Sequence, residues 1–144
     1  MNLNQWQASG EYFDYENHQI FYHAQTNSKE TLLLLHGFPT SSFDYNKIWN
    51  ALGEKFSVVA FDMIGYGFSD KPARFNYTTF NQADVLQAIV RHLKIEKLHI
   101  LAHDYGNTIT LELLARAEEK GLSFSIETIC FLNGALSPRL IAPF

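Results

Sequence analysis

The stretch LHILAHDYGN, residues 98–107, carries the strongest indication of the fold in this chain of 144 residues. An apolar run ends here at a small residue, Ala102. Two positions later comes an acid, Asp104, and two positions after that a second small residue, Gly106, where a helical pattern begins. This order predicts a tight turn between a buried strand and a helix, because Ala102 and Gly106 leave room where the two elements cross. The central side chain of such a turn points outward, so Asp104 is a candidate nucleophile that attacks carbon to form an ester.

Asp104 also has a purely structural alternative. Aspartate is a favoured residue at the start of a helix, where its carboxylate satisfies free N–H groups. Taken alone, residues 98–107 leave the two alternatives open. Two motifs upstream, in the right order and on the right kinds of element, favour the catalytic interpretation.

The first motif is TLLLLHGFPTSS, residues 31–42. Its four-leucine run predicts a strand buried on both faces, and glycine and proline then start a loop. The residue before proline is biased toward an extended backbone, so the N–H of Phe38 is expected to turn inward as one donor of an oxyanion hole. The N–H of Tyr105 is the expected second donor. The structural alternative, compatible with this role, is a plain turn whose helix is capped by one of two serines, Ser41 or Ser42.

The second motif is VVAFDMIGYGFSDKP, residues 58–72, a short apolar strand that enters a glycine-rich turn. A dinucleotide site is disfavoured, because Gly65 and Gly67 do not open a helix and no third glycine follows at the needed spacing. We expect Asp62 to brace the loop beneath the site.

Together, HGFP (36–39), DMIGYGFSDKP (62–72) and AHDYG (102–106) resemble the N-terminal half of an α/β-hydrolase, from about Gly10 to about Pro138. The resemblance implies an α/β fold with a mostly parallel sheet and helices on both faces. An aspartate at the elbow is similar to the epoxide hydrolase and haloalkane dehalogenase branch. The motif neighbours expected to support the site are His36, Gly37, Pro39, His103 and Gly106.

Two departures from the branch pattern bear on the activity. Phe38 stands where dehalogenases usually carry an asparagine that holds the leaving halide, and Tyr105 stands where tryptophan is common. Dehalogenation is therefore the second choice, and epoxide hydrolysis of a small apolar substrate is the expected activity. A catalytically silent interaction protein is the alternative from another class. The ring-opening tyrosines of epoxide hydrolases lie on a cap domain that this sequence does not show.

The resemblance also implies a histidine that activates water, late in the chain and oriented by a second carboxylate. The six histidines here are His18, His23, His36, His92, His99 and His103. None follows Asp104. His36 and His103 are expected to hold loops together, and structural roles are expected for His92 and His99. We therefore expect the chain alone to form an ester without turning over.

Apolar periodicity predicts alternating strands and helices after an opening hairpin. The predicted strands are Glu11–Tyr15, Gln19–His23, Thr31–Leu35, Phe56–Phe61, Lys97–Ala102 and Ile126–Leu132, and the predicted helices are Asp44–Gly53, Thr79–Leu93 and Gly106–Lys120. Residues 1–144 are thus expected to form the N-terminal portion of one α/β-hydrolase core domain, truncated before the cap and the C-terminal strands. Three situations could produce such a chain. In order of preference they are a truncated gene, one half of a split enzyme, and a shortened protein used as a binding module.

Composition restricts the partners. The net charge of −4 with mixed signs argues against nucleic acid, and no apolar span predicts a membrane segment. No secretory signal, disulfide pair or metal-ligand spacing is present, so we expect a cytoplasmic protein without cofactor or metal. An uncovered last strand at Cys130, with its apolar side chains, predicts either self-association or a missing C-terminal half that covers it.

Overall fold

The computed structural model describes residues 1–133. Within them the chain forms four α-helices, one 3-10 helix and a sheet of six strands. The strands are β1 (Glu11–Tyr15), β2 (His18–Gln25), β3 (Thr31–Leu35), β4 (Ser57–Phe61), β5 (Lys97–His103) and β6 (Ser125–Leu132). The helices are α1 (Leu3–Ser9), the 3-10 helix Ser42–Lys47, α2 (Trp49–Gly53), α3 (Thr79–His92) and α4 (Tyr105–Glu119).

The strand order across the sheet is β1-β2-β4-β3-β5-β6. β1 and β2 form the predicted antiparallel hairpin, and both residues of its turn, Glu16 and Asn17, have positive φ, as a two-residue turn that follows the strand twist requires. β2 joins β4 antiparallel, whereas β4, β3, β5 and β6 run parallel. The predicted mostly parallel α/β sheet is confirmed.

Helices cover both faces of the sheet, as expected. On one face α3 and α4 pack over the larger apolar cluster, which contains Leu33, Phe61 and Leu86. On the other face Trp6 of α1 and Trp49 of α2 pack over the second cluster. Because β3 and β5 are neighbours, the loops that follow their carboxyl ends lie side by side.

Two local predictions need correction, and one helix was missed. The helix α1 was not predicted, since it presents a single buried residue, Trp6, and has no apolar stripe. The predicted helix Asp44–Gly53 is two short pieces that meet at Ile48. Neither serine caps it, because Ser41 has no side-chain capping bond and the Ser42 hydroxyl accepts from the Trp6 indole N–H.

Within the described residues β6 pairs with β5 alone, and Phe131 and Leu132 are 45% and 42% exposed. Self-association along this strand stays a prediction. The end of the resemblance, at about Pro138, lies outside the described residues. None of the helices in residues 1–133 has the length and apolar character needed to span a bilayer.

Candidate active site

Asp104 lies between the last residue of β5 and the first residue of α4, with φ 51° and ψ −112°. Positive φ is unfavourable for a residue with a Cβ atom, and such a conformation costs roughly 1–3 kcal/mol. Surrounding packing must therefore hold the turn. The strain is consistent with the sharp turn that presents a nucleophile in strand-turn-helix sites.

The crossing of β3 and α4 explains why small residues flank this turn. A Cβ atom at Gly106 would lie 2.7 Å from the carbonyl oxygen of Leu35, and Ala102 is fully buried. A larger side chain at Gly106 would push the helix away from the strand. The close approach brings the N-terminus of α4 next to the loop that follows β3.

The Asp104 carboxylate accepts two main-chain hydrogen bonds on the same oxygen. Its Oδ1 atom lies 2.9 Å from the Phe38 nitrogen and 2.7 Å from the Tyr105 nitrogen. The Phe38 N–H is the main cause that lowers the pKa of Asp104, the Tyr105 N–H adds to it, and burial opposes both. Asp104 is therefore a carboxylate at neutral pH.

This geometry differs from an ordinary helix cap. A capping aspartate usually has an extended backbone and accepts from the second or third N–H of the helix. Asp104 has positive φ and accepts from the first N–H, that of Tyr105. Its second donor, Phe38, comes from another loop, 66 residues away in sequence. Capping alone explains neither feature.

The Phe38 donor depends on a close contact between two loops. A Cβ atom at Gly37 would lie 2.6 Å from the Asp104 Cβ and 3.0 Å from the His103 Nδ1, so only glycine fits there. The Phe38–Pro39 peptide bond is cis. The Phe38 side chain is 66% exposed, so this residue contributes its main chain to the carboxylate and its ring to the surface beside it.

Two buried polar side chains hold the loops beneath the site. The Nε2 atom of fully buried His36 accepts from the Met63 N–H at 3.1 Å. The carboxylate of Asp62 accepts from the N–H groups of Ser42 and Phe68, both at 2.7 Å. Asp62 thus has the bracing position expected from the sequence.

Aromatic side chains lie on the loops beside the carboxylate. Phe38 and Tyr66 meet edge to face with ring centroids 6.3 Å apart, and the Tyr105 hydroxyl lies 3.4 Å from the Thr79 hydroxyl. Burial raises the pKa of Tyr66, and the nearby Tyr105 and Asp104 raise it further. Tyr66 was not singled out in the sequence. Its place between two turn glycines, in a loop that follows a buried strand, is the signal that points to it.

None of the six histidines hydrogen-bonds to Asp104 within residues 1–133. His103 is adjacent in sequence, and its charge contributes to the lowered pKa of Asp104. His99 of β5 is half-buried, and its Nδ1 lies 2.7 Å from the Thr128 hydroxyl. In the described part of the chain, no three His, Cys, Asp or Glu side chains are close enough to share a metal ion.

The sheet order, with a strained acidic turn after β5, defines an α/β-hydrolase fold. Residues 30–125, more than half of the chain, match the family described as "alpha/beta hydrolase fold". The chain therefore belongs to this family, and the predicted membership is confirmed.

Several known proteins are similar to the chain. It is 40% identical to the mesoderm-specific transcript homolog protein of Bos taurus over 148 aligned residues, which cover 98% of this chain and 44% of that protein. The structure of the epoxide hydrolase CorEH superposes with a TM-score of 0.76 at 25% identity, over 87% of this chain and 42% of that one. A loop variant of the haloalkane dehalogenase DbeA from Bradyrhizobium elkanii gives 0.74 at 30% identity, over 85% and 39%. The chain thus spans less than half the length of these proteins.

Proposed function

We propose that this chain carries the nucleophile of an α/β-hydrolase that acts through an alkyl ester on Asp104, with an epoxide as substrate. The observation that carries the proposal is the pair of main-chain N–H groups, from Phe38 and Tyr105, on one carboxylate oxygen. A ground-state carboxylate needs no such pair, but an oxyanion does.

The two carboxylate oxygens take different parts. Oδ1 is held by the two N–H groups, so Oδ2 attacks an epoxide carbon. The carbon–oxygen bond of the ring breaks, and its electron pair goes to the epoxide oxygen, which takes a proton from solvent water. Water then attacks the Asp104 carbonyl carbon. The negative charge of the tetrahedral intermediate develops on Oδ1, where the N–H groups of Phe38 and Tyr105 stabilise it. Its collapse releases a diol and restores the carboxylate.

Three observations support this reaction on a small apolar substrate. The rings of Phe38, Tyr66 and Tyr105 are near the carboxylate and offer apolar surface. Lowering of the Asp104 pKa keeps the nucleophile ionised at neutral pH. One structural neighbour, CorEH, is an epoxide hydrolase.

Haloalkane dehalogenation is the second candidate, favoured by the 30% identity to DbeA. The exposed Phe38 ring offers no N–H donor to a departing halide. We therefore rank this reaction below epoxide opening. Residues 1–144 are proposed to form part of one hydrolase core domain, whose water-activating base comes from outside this chain. The cytoplasmic location stays a prediction.

The test is intact-mass spectrometry of the purified chain after incubation with styrene oxide. We expect a mass increase of one epoxide molecule, mapped to the peptide that contains Asp104, because no histidine follows to hydrolyse the ester. Asp104→Asn removes the nucleophile at equal size and should abolish the adduct. Asp44→Asn, at an exposed carboxylate, is the matched control and should leave it.

The outcomes separate the candidates. Labelling that persists in Asp104→Asn removes Asp104 from the role. Alkylation of Asp104 by 1-bromohexane, with bromide release, but not by styrene oxide, selects dehalogenation. A folded chain that neither reagent labels supports the catalytically silent interaction protein.

A further inference from the structure

The peptide group between Gly37 and Phe38 carries one of the two donors on Asp104. Its N–H lies 2.9 Å, nitrogen to oxygen, from Asp104 Oδ1. A peptide group is planar, so its N–H and C=O point in opposite directions. Whatever fixes the direction of the Gly37 carbonyl also fixes the direction of the Phe38 N–H.

Three donors converge on the Gly37 carbonyl oxygen. His36 Nδ1 lies 2.8 Å away, the Thr40 hydroxyl 3.1 Å and the Thr40 main-chain nitrogen 3.2 Å. A carbonyl oxygen has two lone pairs, so three donors exceed its ordinary complement. The concentration of donors on this one carbonyl distinguishes it within the loop.

The contacts of His36 determine its tautomer. Its Nε2 atom accepts from the Met63 N–H, so Nε2 carries no proton, and Nδ1 carries the proton that is donated to Gly37. Burial lowers the pKa of His36, although the Gly37 bond and the charge of Asp62 oppose this, and the ring stays neutral. His36 therefore ties the Gly37 carbonyl to the loop of Met63.

The loop needs these hydrogen bonds because no side chain at position 37 can restrict the rotation of the peptide group. A Cβ atom at position 37 would collide with Asp104, so this position requires glycine, whose backbone is the least restricted of all residues. A glycine-flanked peptide rotates more readily than others. A rotated peptide would turn the Gly37 carbonyl toward the Asp104 carboxylate, where two partial negative charges repel.

We propose that Thr40 and His36 are positioning residues that hold the Gly37–Phe38 peptide with its N–H toward Asp104. Neither side chain hydrogen-bonds to the carboxylate, and both act through the Gly37 carbonyl. Thr40 is half-buried and at the end of the loop, so its hydroxyl is the part that substitution removes with least damage to the fold. The catalytic consequence rests on the function proposed above, whereas the orientation of the peptide does not.

The experiment compares Thr40→Val with Thr40→Ser in the full chain. Valine has the shape of threonine and keeps the main-chain donor, but it lacks the hydroxyl; serine restores the hydroxyl. The first measurement is the Asp104 carboxyl titration by carbon-detected NMR, together with the Phe38 amide proton shift. Thr40→Val should raise the Asp104 pKa toward its ordinary value and move the Phe38 amide proton upfield, and Thr40→Ser should restore both.

A second measurement is the rate of the styrene oxide adduct. We expect Thr40→Val to slow it by on the order of tenfold, because a less firmly held carboxylate presents Oδ2 to the epoxide carbon in a less precise orientation. The control variant is Thr128→Val, which removes a side-chain hydrogen bond with His99, away from Gly37. It should leave the Asp104 titration unchanged. Urea unfolding verifies that each variant is folded.

The two proposals fail differently. If Thr40→Val leaves the Asp104 pKa, the Phe38 shift and the adduct rate as in the parent, the positioning role is overturned. A lower urea midpoint with an unchanged Asp104 titration also overturns it, because the hydroxyl would then serve stability alone. If the Asp104 titration responds but the parent chain forms no adduct, the positioning role is supported and the proposed function is not.

Discussion

A Cβ atom on Gly37 would lie 2.6 Å from the Cβ atom of Asp104. The backbone of Gly37 lies outside the left-handed region, so alanine is conformationally allowed at this position. The collision with Asp104 is therefore the sole reason that glycine is needed here. We predict that Gly37→Ala displaces the Phe38 N–H and the Asp104 carboxylate, and slows adduct formation by about 100-fold because the nucleophile is no longer aligned. Intact-mass kinetics measures this rate. Gly121→Asn is the control, because its site is open and asparagine tolerates positive φ; an unchanged rate in Gly37→Ala would contradict the prediction.

The pH dependence of alkylation should reflect the depressed pKa of Asp104. The hydrogen bond from the Phe38 N–H is the main cause that lowers the Asp104 pKa below its ordinary value of 3.8. Because the folded-state pKa is lowered, the bond stabilises the fold above the unfolded-state pKa, and this stabilisation is lost as the pH falls through the folded value. We expect the alkylation rate constant to be flat from neutral pH down to about 4. A decline centred between roughly pH 5 and 6 would show that another group controls the reaction.

His23 should make the fold sensitive to acid. Its ring stacks on Trp6 at 4.4 Å and meets Trp49 edge to face at 4.7 Å, and burial lowers its pKa below 6.5. With a lowered folded-state pKa, the stabilisation is present above 6.5 and is lost as the pH falls through the folded value. Urea unfolding followed by tryptophan fluorescence should show a free energy of unfolding that declines as the pH falls below 6.5.

The control for this prediction uses two histidine variants. His23→Phe keeps an aromatic ring against Trp6 and Trp49 and should flatten the decline. His18→Gln, at a half-buried ring that contacts Phe75, should not. Equal pH profiles for the parent chain and His23→Phe would assign the effect to other groups.

Arg116 joins the two long helices. Its guanidinium donates to Glu112 in its own helix, and to the Asp84 carboxylate and the Phe80 carbonyl of α3. The Asp84 side chain is 47% exposed, so solvent screening limits the contribution of the pair. We predict that Arg116→Met lowers the free energy of unfolding by about 1 kcal/mol at low salt and by less at high salt. Arg91→Met, at an exposed position of α3, is the matched control, and a larger loss there in urea unfolding would refute the role of Arg116.

Much of the fold follows from local sequence patterns. The four-leucine run of β3 is a buried strand, the apolar run of β5 is a strand that is buried on one face, and Gly121 has the positive φ that lets the chain leave α4. Such patterns are informative because they record the face that each element buries. The pattern fails for α1, whose seven residues bury Trp6 alone. The spacing of Asn2 and Gln5, which form a capping box, was the available signal.

The site could be predicted only in part. Asp104, Phe38 and Tyr105 were named from turn chemistry, but the Tyr66 ring and the Thr40 hydroxyl were not. Both lie in loops, where no periodicity marks the direction of a side chain. Their relation to Asp104 depends on how separate loops pack.

The sequence alone determined where the chain turns and which residues are small enough to permit it, since those constraints act between neighbours. It placed Asp104 between a strand and a helix and required Gly106 behind it. Only the tertiary structure decided that the N–H groups of Phe38 and Tyr105 meet on one oxygen atom. That meeting requires β3 beside β5 in the sheet, an order set by the packing of the whole core and by no single segment.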